Sequence, residues 1–343
     1  MTDRKFFLVI DGSSMLVTNY YGNLPKQILF EKDEEKKKLH YSKIMQTSDG
    51  TYTNAIYGTL RTILKIIREQ KPTHMAVVFD KSRDTFRREM YADYKGTRGA
   101  TPEPLKQQFV LIEEVLGEIG LKVLFDDNYE ADDLAGSIIS KFEGPDMPMA
   151  FLTKDHDYLQ LVSEYTRGWM VQTKKEKAVE LFEKYNVFGD GRQMDVLPDK
   201  VFEFTSEHVL SEEGVLPSQI PDLKGICGDT SDNIPGVKGV SSAAAPLIRE
   251  YGSVEGIYEE LESFENEKEQ KKLAKFWKEN LGVTRSPIKA LLRDKESALL
   301  SKKLATIVRD VPVPSQLEDY ECNINNEALD TVLRRLEFKS MVE

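Results

Sequence analysis

The chain reads as an α/β fold: a mostly parallel sheet flanked by helices over residues 1–204, followed by an all-helical region over 205–343. Two observations predict it. Short, continuously apolar runs alternate with longer segments of helical periodicity, the pattern of buried parallel strands joined by crossover helices. Three of those runs also lead into an acid: FFLVI into Asp11, HMAVVF into Asp80 and MPMAFLTK into Asp155. The carboxyl ends of parallel strands face one crevice, so these acids are expected to share it.

The elements follow in order. Residues 6–11 read as a first buried strand, which their brief apolar run ending in Asp11 suits better than a signal peptide. The segment 24–52, with EKDEEKKK, reads as a solvated loop or a short exposed helix. A helix over 54–69 places Ile56, Leu60, Ile63, Leu64 and Ile67 on one face and is broken by Pro72. A strand at 75–79 comes next, and Pro102 and Pro104 open a helix that runs to about Gly120. A third strand at 121–125, a helix over 131–142 and a fourth strand at 149–153 complete the repeat. The stretch 166–204 alternates in charge and carries FGDGRQ, so it reads as a surface excursion. Beyond it the turn NIPGVKGV is followed by the amphipathic segments SVEGIYEELESF and KESALLSKKLATIV.

Composition narrows the class. With 343 residues, 40% hydrophobic and 31% charged, the chain has room for two or three domains and a well-solvated surface. Cys227 and Cys322 stand alone, which excludes a disulfide framework or a CxxC metal site and suits a reducing cytosolic setting. No run is long enough to span a membrane. A net charge of −11 argues against a nucleic-acid partner only until the charges are located. Between 81 and 106, seven basic residues (Lys81, Arg83, Arg87, Arg88, Lys95, Arg98, Lys106) stand against four acids, a basic segment beside an acidic crevice.

Nine acids in five clusters are the candidate site: Asp11; Asp80; Glu130, Asp132 and Asp133; Asp155 and Asp157; Asp229 and Asp232. Oxygen donors without His or Cys favour a hard cation, Mg²⁺ or Mn²⁺, over zinc. Glu130 and Asp133, three apart, share one helical face, while Asp132 points to a neighbouring side. Two such ions a few ångströms apart activate water and stabilise a leaving oxygen, the usual route to phosphodiester hydrolysis.

Six motifs give these residues a family context: VIDGSS at 9–14, VVFD at 77–80, FRREMYADYKGTR at 86–98, YEADD at 129–133, TKDHDYLQL at 153–161 and GDTSDNIPGVKG at 228–239. Together they resemble the 5′ nuclease (flap endonuclease-like) family, most nearly the N-terminal 5′-to-3′ exonuclease domain of bacterial DNA polymerase I. The resemblance implies a PIN-like sheet domain with a helical arch near 81–106, and a helix-hairpin DNA-binding element near 218–250. It assigns Asp11, Asp80, Glu130, Asp132 and Asp133 to one metal ion and Asp155, Asp157, Asp229 and Asp232 to a second. It makes Arg87, Lys95 and Arg98 the basic residues on the scissile phosphate and the threaded strand, with Tyr94 stacking on a base. Gly236, Lys238 and Gly239 belong to the hairpin that meets duplex phosphates. The chain departs from the family at Thr18 (commonly Arg), His156 (commonly Lys), Ser241 (Gly) and Ala243 (Lys). The last two weaken both the hairpin contact and the K⁺ site that accompanies it in relatives.

The implied function is metal-dependent, structure-specific 5′-to-3′ exonuclease or flap endonuclease cleavage of DNA in a bacterial cytoplasm, in primer and flap removal during replication and repair. Mg²⁺ would be the cofactor, with Mn²⁺ able to substitute. The partners would be DNA with 5′ flaps or strand junctions and RNA primers in hybrid. The segments LLSKKLATIVRDVPV and LRRLEFKSMVE resemble the end of the polymerase's exonuclease region, so a polymerase domain on a longer chain and a free-standing nuclease both fit. A PIN-like ribonuclease and a non-catalytic DNA-junction-binding protein are the alternatives.

Overall fold

The computed structural model describes residues 5–187, 197–264 and 266–342. Strand β1 (Phe7–Asp11) is buried along its length, and Asp11 caps the helix that follows directly, α1 (Gly12–Gly22). The segment expected as a loop or short exposed helix carries α2 (Lys26–Leu29) and α3 (Glu34–Lys38); α3 buries nothing, while Ile28 and Ile44 anchor the segment. The amphipathic α4 (Asn54–Gln70) leads to β2 (His74–Asp80), then α5 (Phe86–Met90) and α6 (Glu103–Glu118). The segment expected as an arch is thus one five-residue helix and a run of turns. β3 (Lys122–Asp126), α7 (Ala131–Phe142) and β4 (Met149–Thr153) follow.

One expectation is corrected here. The stretch 166–204 is not a surface excursion, since β5 (Thr166–Val171), α8 (Lys175–Lys184) and β6 (Val201–Phe204) extend the sheet. Gly168 belongs to β5 because Phe151 of the neighbouring strand fills the space a Cβ would need, its ring 2.8 Å from that position. The FGDGRQ turn itself lies outside the described residues.

The sheet order is β3-β2-β1-β4-β5-β6, parallel except for β6. Alternation sends Phe7 and Val9 into one core, and Leu8 and Ile10 into the other. The second core is lined by α1, α4 and α6. The first is lined by α7 and by the helical region: α9 (Ser206–Glu213), α10 (Ile220–Cys227), α11 (Ser241–Tyr251), α12 (Val254–Glu262), α13 (Glu267–Leu281), α14 (Ile288–Arg293) and α15 (Lys295–Ala305). The final helix, α16 (Asn326–Arg335), returns to the second core through Val332 and Leu333, joined by Leu336 and Phe338 just beyond it. Strand order reverses direction between β1 and β4, so the ligand crevice is expected at the carboxyl ends of those two strands.

Candidate functional site

That crevice is where the chain gathers its acids. Asp11 ends β1, Asp80 ends β2, Asp132 lies in the first turn of α7, and Asp155 follows β4 by two residues. Local bonds orient them: Asp11 accepts from Ser14 N–H (2.9 Å) and the Thr153 hydroxyl (2.6 Å), and Asp80 accepts from Ala131 N–H (3.0 Å). Ser13 steadies Asp80 from below by accepting its N–H at 2.8 Å. Burial, the nearby charge of Asp80 and, more weakly, that of Asp155 push Asp11 up to about 7. Asp132 is raised well above the ordinary carboxylate range by burial and by Asp133, and Asp155 is raised by burial and by Asp232 against the pull of Lys224. Asp11, Asp132 and Asp155, three carboxylates that resist ionisation, form with the neighbouring Asp80 a site short of positive charge.

The remaining acids are already partnered by cations. Arg87 is 1% exposed and grips Asp133 through two bonds of 2.6 and 2.7 Å, while its other N–H groups donate to the carbonyls of Leu304 (2.9 Å) and Thr306 (2.9 Å). Asp133, with no exposed surface, also accepts from Glu130 N–H (3.0 Å) and Val308 N–H (2.8 Å). Its two oxygens thus carry four donors, as many as a carboxylate accepts. Two expectations change accordingly. Asp133 has no lone pair left for an ion, and Arg87, with four of its five N–H groups bonded and Nη1 also 3.8 Å from Glu130, is a buried structural cation and not one turned toward a phosphate.

Lys95 and Arg98 come down from the turn segment after α5 onto the acids. Lys95 Nζ lies 2.5 Å from Glu130 and 3.9 Å from Asp232, and Arg98 bonds Asp232. Burial works against both charges of the Lys95–Glu130 pair. Their mutual attraction wins, holding Glu130 below and Lys95 well above their ordinary values. Tyr94 is 4% exposed, with its hydroxyl toward Glu130 (3.2 Å) and Asp232 (3.4 Å). In this conformation its ring offers no face to a base, so the stacking expectation is corrected: Tyr94 packs with Ile234, Leu304 and Ala305.

Lys224, on α10, was not singled out in the sequence. It bonds Asp157 and lies 2.6 Å from Asp229, tying two acids from different motifs. With Ser231, and against burial, it holds Asp229 down to about 2. The available signal was its position five residues before Asp229, in the last turns of the helix that ends just ahead of that acid. Thr153, Thr85 and Ser13, which bond Asp11, Glu130 and Asp80, were also missed, since an isolated hydroxyl carries no spacing signal.

The hairpin between α10 and α11 divides the expected residues. Gly236 takes φ +61, and a Cβ there would lie 2.3 Å from Gly228 N, so glycine is required. Its N–H donates to Ser301 Oγ at 2.9 Å and is not free for phosphate, which corrects the expectation for this glycine. Lys238 and Gly239 are exposed at the tip. Ala243 is 4% exposed and faces the core, where a lysine would have to find its way out past packed side chains. His156 leaves the crevice to bond Glu213 at 2.9 Å.

Comparison with known proteins agrees with this arrangement. Residues 6–187 match the family described as 5′-3′ exonuclease, N-terminal resolvase-like domain, and 215–328 match 5′-3′ exonuclease, C-terminal SAM fold. A DNA polymerase I of Caldicellulosiruptor bescii is 35% identical over 98% of this chain, which spans 33% of that protein's length. A 5′-3′ exonuclease of Aquifex aeolicus is 30% identical over 99% of this chain and 94% of its own. Among solved structures, T5 5′-exonuclease with bound divalent metal ions (zinc) superposes with a TM-score of 0.57 at 17% identity, covering 99% of this chain and 100% of its own. The catalytic core of Rad2 in complex with DNA substrate gives 0.55 at 14% identity, covering 97% and 88%. The fold and the coverage agree from end to end, and the chain belongs to the 5′-3′ exonuclease family.

Proposed function

We propose that this chain is a divalent-metal-dependent, structure-specific 5′ nuclease that hydrolyses DNA phosphodiester bonds near junctions of single and double strands, leaving 5′-phosphate ends. The observation that carries the reading is the convergence of Asp11, Asp80, Asp132 and Asp155 at the switch point of the sheet, with Asp11 pushed up to about 7 by burial and by Asp80. The donor set fits a hard cation: every group is a carboxylate, and among the described residues no basic side chain bonds Asp11, Asp80 or Asp132. Among the described residues no three of the acids close into a cage as they stand. Lys95, Lys224 and Arg98 pair with Glu130, Asp157, Asp229 and Asp232.

Mg²⁺, with Mn²⁺ as a substitute, would be held by Asp11, Asp80 and Asp132, with Glu130 and Asp155 beside them, and would supply a water acidic enough to attack phosphorus. The protein's part is positional. Thr153, Ser13 and the α7 amide of Ala131 fix the acids, and Asp133 with Arg87 fixes the start of α7. Lys95 and Arg98 move from Glu130 and Asp232 to the substrate phosphate, where they offset charge developing on its oxygens. Lys238 and Gly239 meet the duplex backbone. The reading needs no monovalent ion at the hairpin. Flap DNA and RNA primers in hybrid are the proposed substrates, within a bacterial cytoplasm. A polymerase domain is proposed as a neighbour only where the chain is part of a longer protein, since it spans about a third of the polymerase relatives.

A labelled 5′-flap DNA, a single-stranded RNA and a blunt duplex, each with Mg²⁺, Mn²⁺ or chelator, test this directly. Flap cleavage in either metal and none in chelator is expected. Cleavage of RNA alone would favour a PIN-like ribonuclease, and binding without cleavage a junction-binding protein.

A further inference from the structure

Beneath the acid nest lies a group that the reaction as described leaves unused. Tyr158 follows Asp157 on the short 3₁₀ turn after β4 and is 1% exposed, its ring 5.6 Å from that of Phe151. Its hydroxyl is one of two buried side-chain polar atoms among the described residues without a hydrogen-bond partner, the other being that of Thr53. After burial, the largest influences on that hydroxyl are the charges of Asp11, Asp132, Asp80 and Asp155, the four acids of the nest. A buried hydroxyl left unbonded costs on the order of 1–3 kcal/mol, and phenylalanine would fill the same space without that cost. Tyrosine here therefore makes sense only if its hydroxyl acquires a partner in the loaded site.

We propose that Tyr158 is a positioning residue whose hydroxyl donates a hydrogen bond to the floor of the metal site, to a carboxylate oxygen or to a water held by the ion between Asp11, Asp80, Asp132 and Asp155. The inference rests on the metal-dependent reading above. The hydroxyl reaches no bulk solvent, so the bond forms only when those carboxylates draw in around a cation. Outer groups of this kind orient the ligands and sharpen affinity without touching substrate.

The test is Tyr158→Phe in the full chain, with Mn²⁺ as the probe. Expected are a metal-free melting temperature equal to or above wild type, Mn²⁺ affinity weaker by roughly 10-fold in a titration that reads free Mn²⁺, and a smaller Mn²⁺-induced rise in melting temperature. On flap DNA, kcat should fall while KM for DNA stays unchanged. Equal Mn²⁺ affinity and equal thermal shift in variant and wild type overturn this proposal alone. Wild-type protein that binds no Mn²⁺ overturns the metal reading and the proposal with it. A Tyr158→Phe variant that is less stable than wild type without metal points to a structural partner for the hydroxyl and overturns the proposal.

Discussion

Asp132 and Asp133 are neighbours in one motif, yet the structure gives them opposite work. Asp133 is saturated by Arg87 and two backbone amides, so Asp133→Ala strands a buried guanidinium and is expected to cost about 3–5 kcal/mol of stability, read by urea unfolding. Asp132 is held well above the ordinary carboxylate range by burial and by Asp133, so Asp132→Ala should leave metal-free stability unchanged or raised while abolishing flap cleavage. Equal unfolding curves for the two variants would refute the division. Asp11 adds a pH signature. Its folded pKa, about 7 through burial and Asp80, lies above its unfolded value, so the folded state holds the extra proton between the two. Its contribution to metal-free stability therefore falls as pH rises from about 4 to about 7. Asp11→Asn should match wild type near pH 4 and melt several degrees higher above pH 7.5 without metal; a constant difference across that range would contradict the shift. The acids were legible because strand ends repeat a recognisable pattern. Which of them face the crevice and which lock the fold was not, because that depends on Arg87 reaching carbonyls of Leu304 and Thr306, more than 200 residues away.

At the scale of elements, the segment between α5 and α6 is docked by its two cations on acids and by bonds to backbone carbonyls. Lys95 Nζ meets Glu130, Arg98 meets Asp232, Lys95 N–H donates to the Asp232 carbonyl at 2.8 Å, and the Asn233 amide donates to the Asp93 carbonyl at 2.7 Å. Lys95 holds φ +53, a backbone state that a non-glycine residue leaves readily once its contacts go. On the proposed reading a divalent ion competes with Lys95 for Glu130, so Mg²⁺ should speed amide hydrogen exchange across 94–98 while leaving β1 and β4 protected. Unchanged exchange on adding Mg²⁺ would mean that the segment and the metal site are independent. The turns here resist sequence reading because their conformation is set by charges elsewhere in the chain. Continuous apolar strands such as β1 and β4 announce themselves, as does α4 with its one-sided Ile and Leu. β5 does not: Arg167 and Gly168 interrupt its pattern, and Gly168 is explained only by Phe151 on the next strand.

At the scale of the whole molecule, the two family-matched regions share a core. The cluster containing Phe7, Val9 and Phe151 of the sheet also contains Val209, Ile220, Leu247 and Leu291 of the helical region. A strap after α15 fastens them further: Gln160 donates to the Ala305 carbonyl (3.0 Å) and accepts from Ile307 N–H (2.9 Å), while Val308 N–H reaches Asp133. The chain's last helix then closes the opposite face, burying Leu333 and Phe338 against α4 and α6. Units that share buried side chains cannot unfold separately without exposing them. Calorimetry should therefore show a single cooperative transition, with Mn²⁺ raising it as one peak by mass action on the folded state. Phe338→Ala, far from the acids, should lower that one transition by about 3–5 kcal/mol and leave Mn²⁺ affinity intact, since it opens a cavity under the sheet without moving a carboxylate. Two resolved transitions, or a Phe338→Ala variant that melts only in part, would show that the sheet and the helical region stand on their own, and that the acids contributed by each are brought together only when substrate or metal binds.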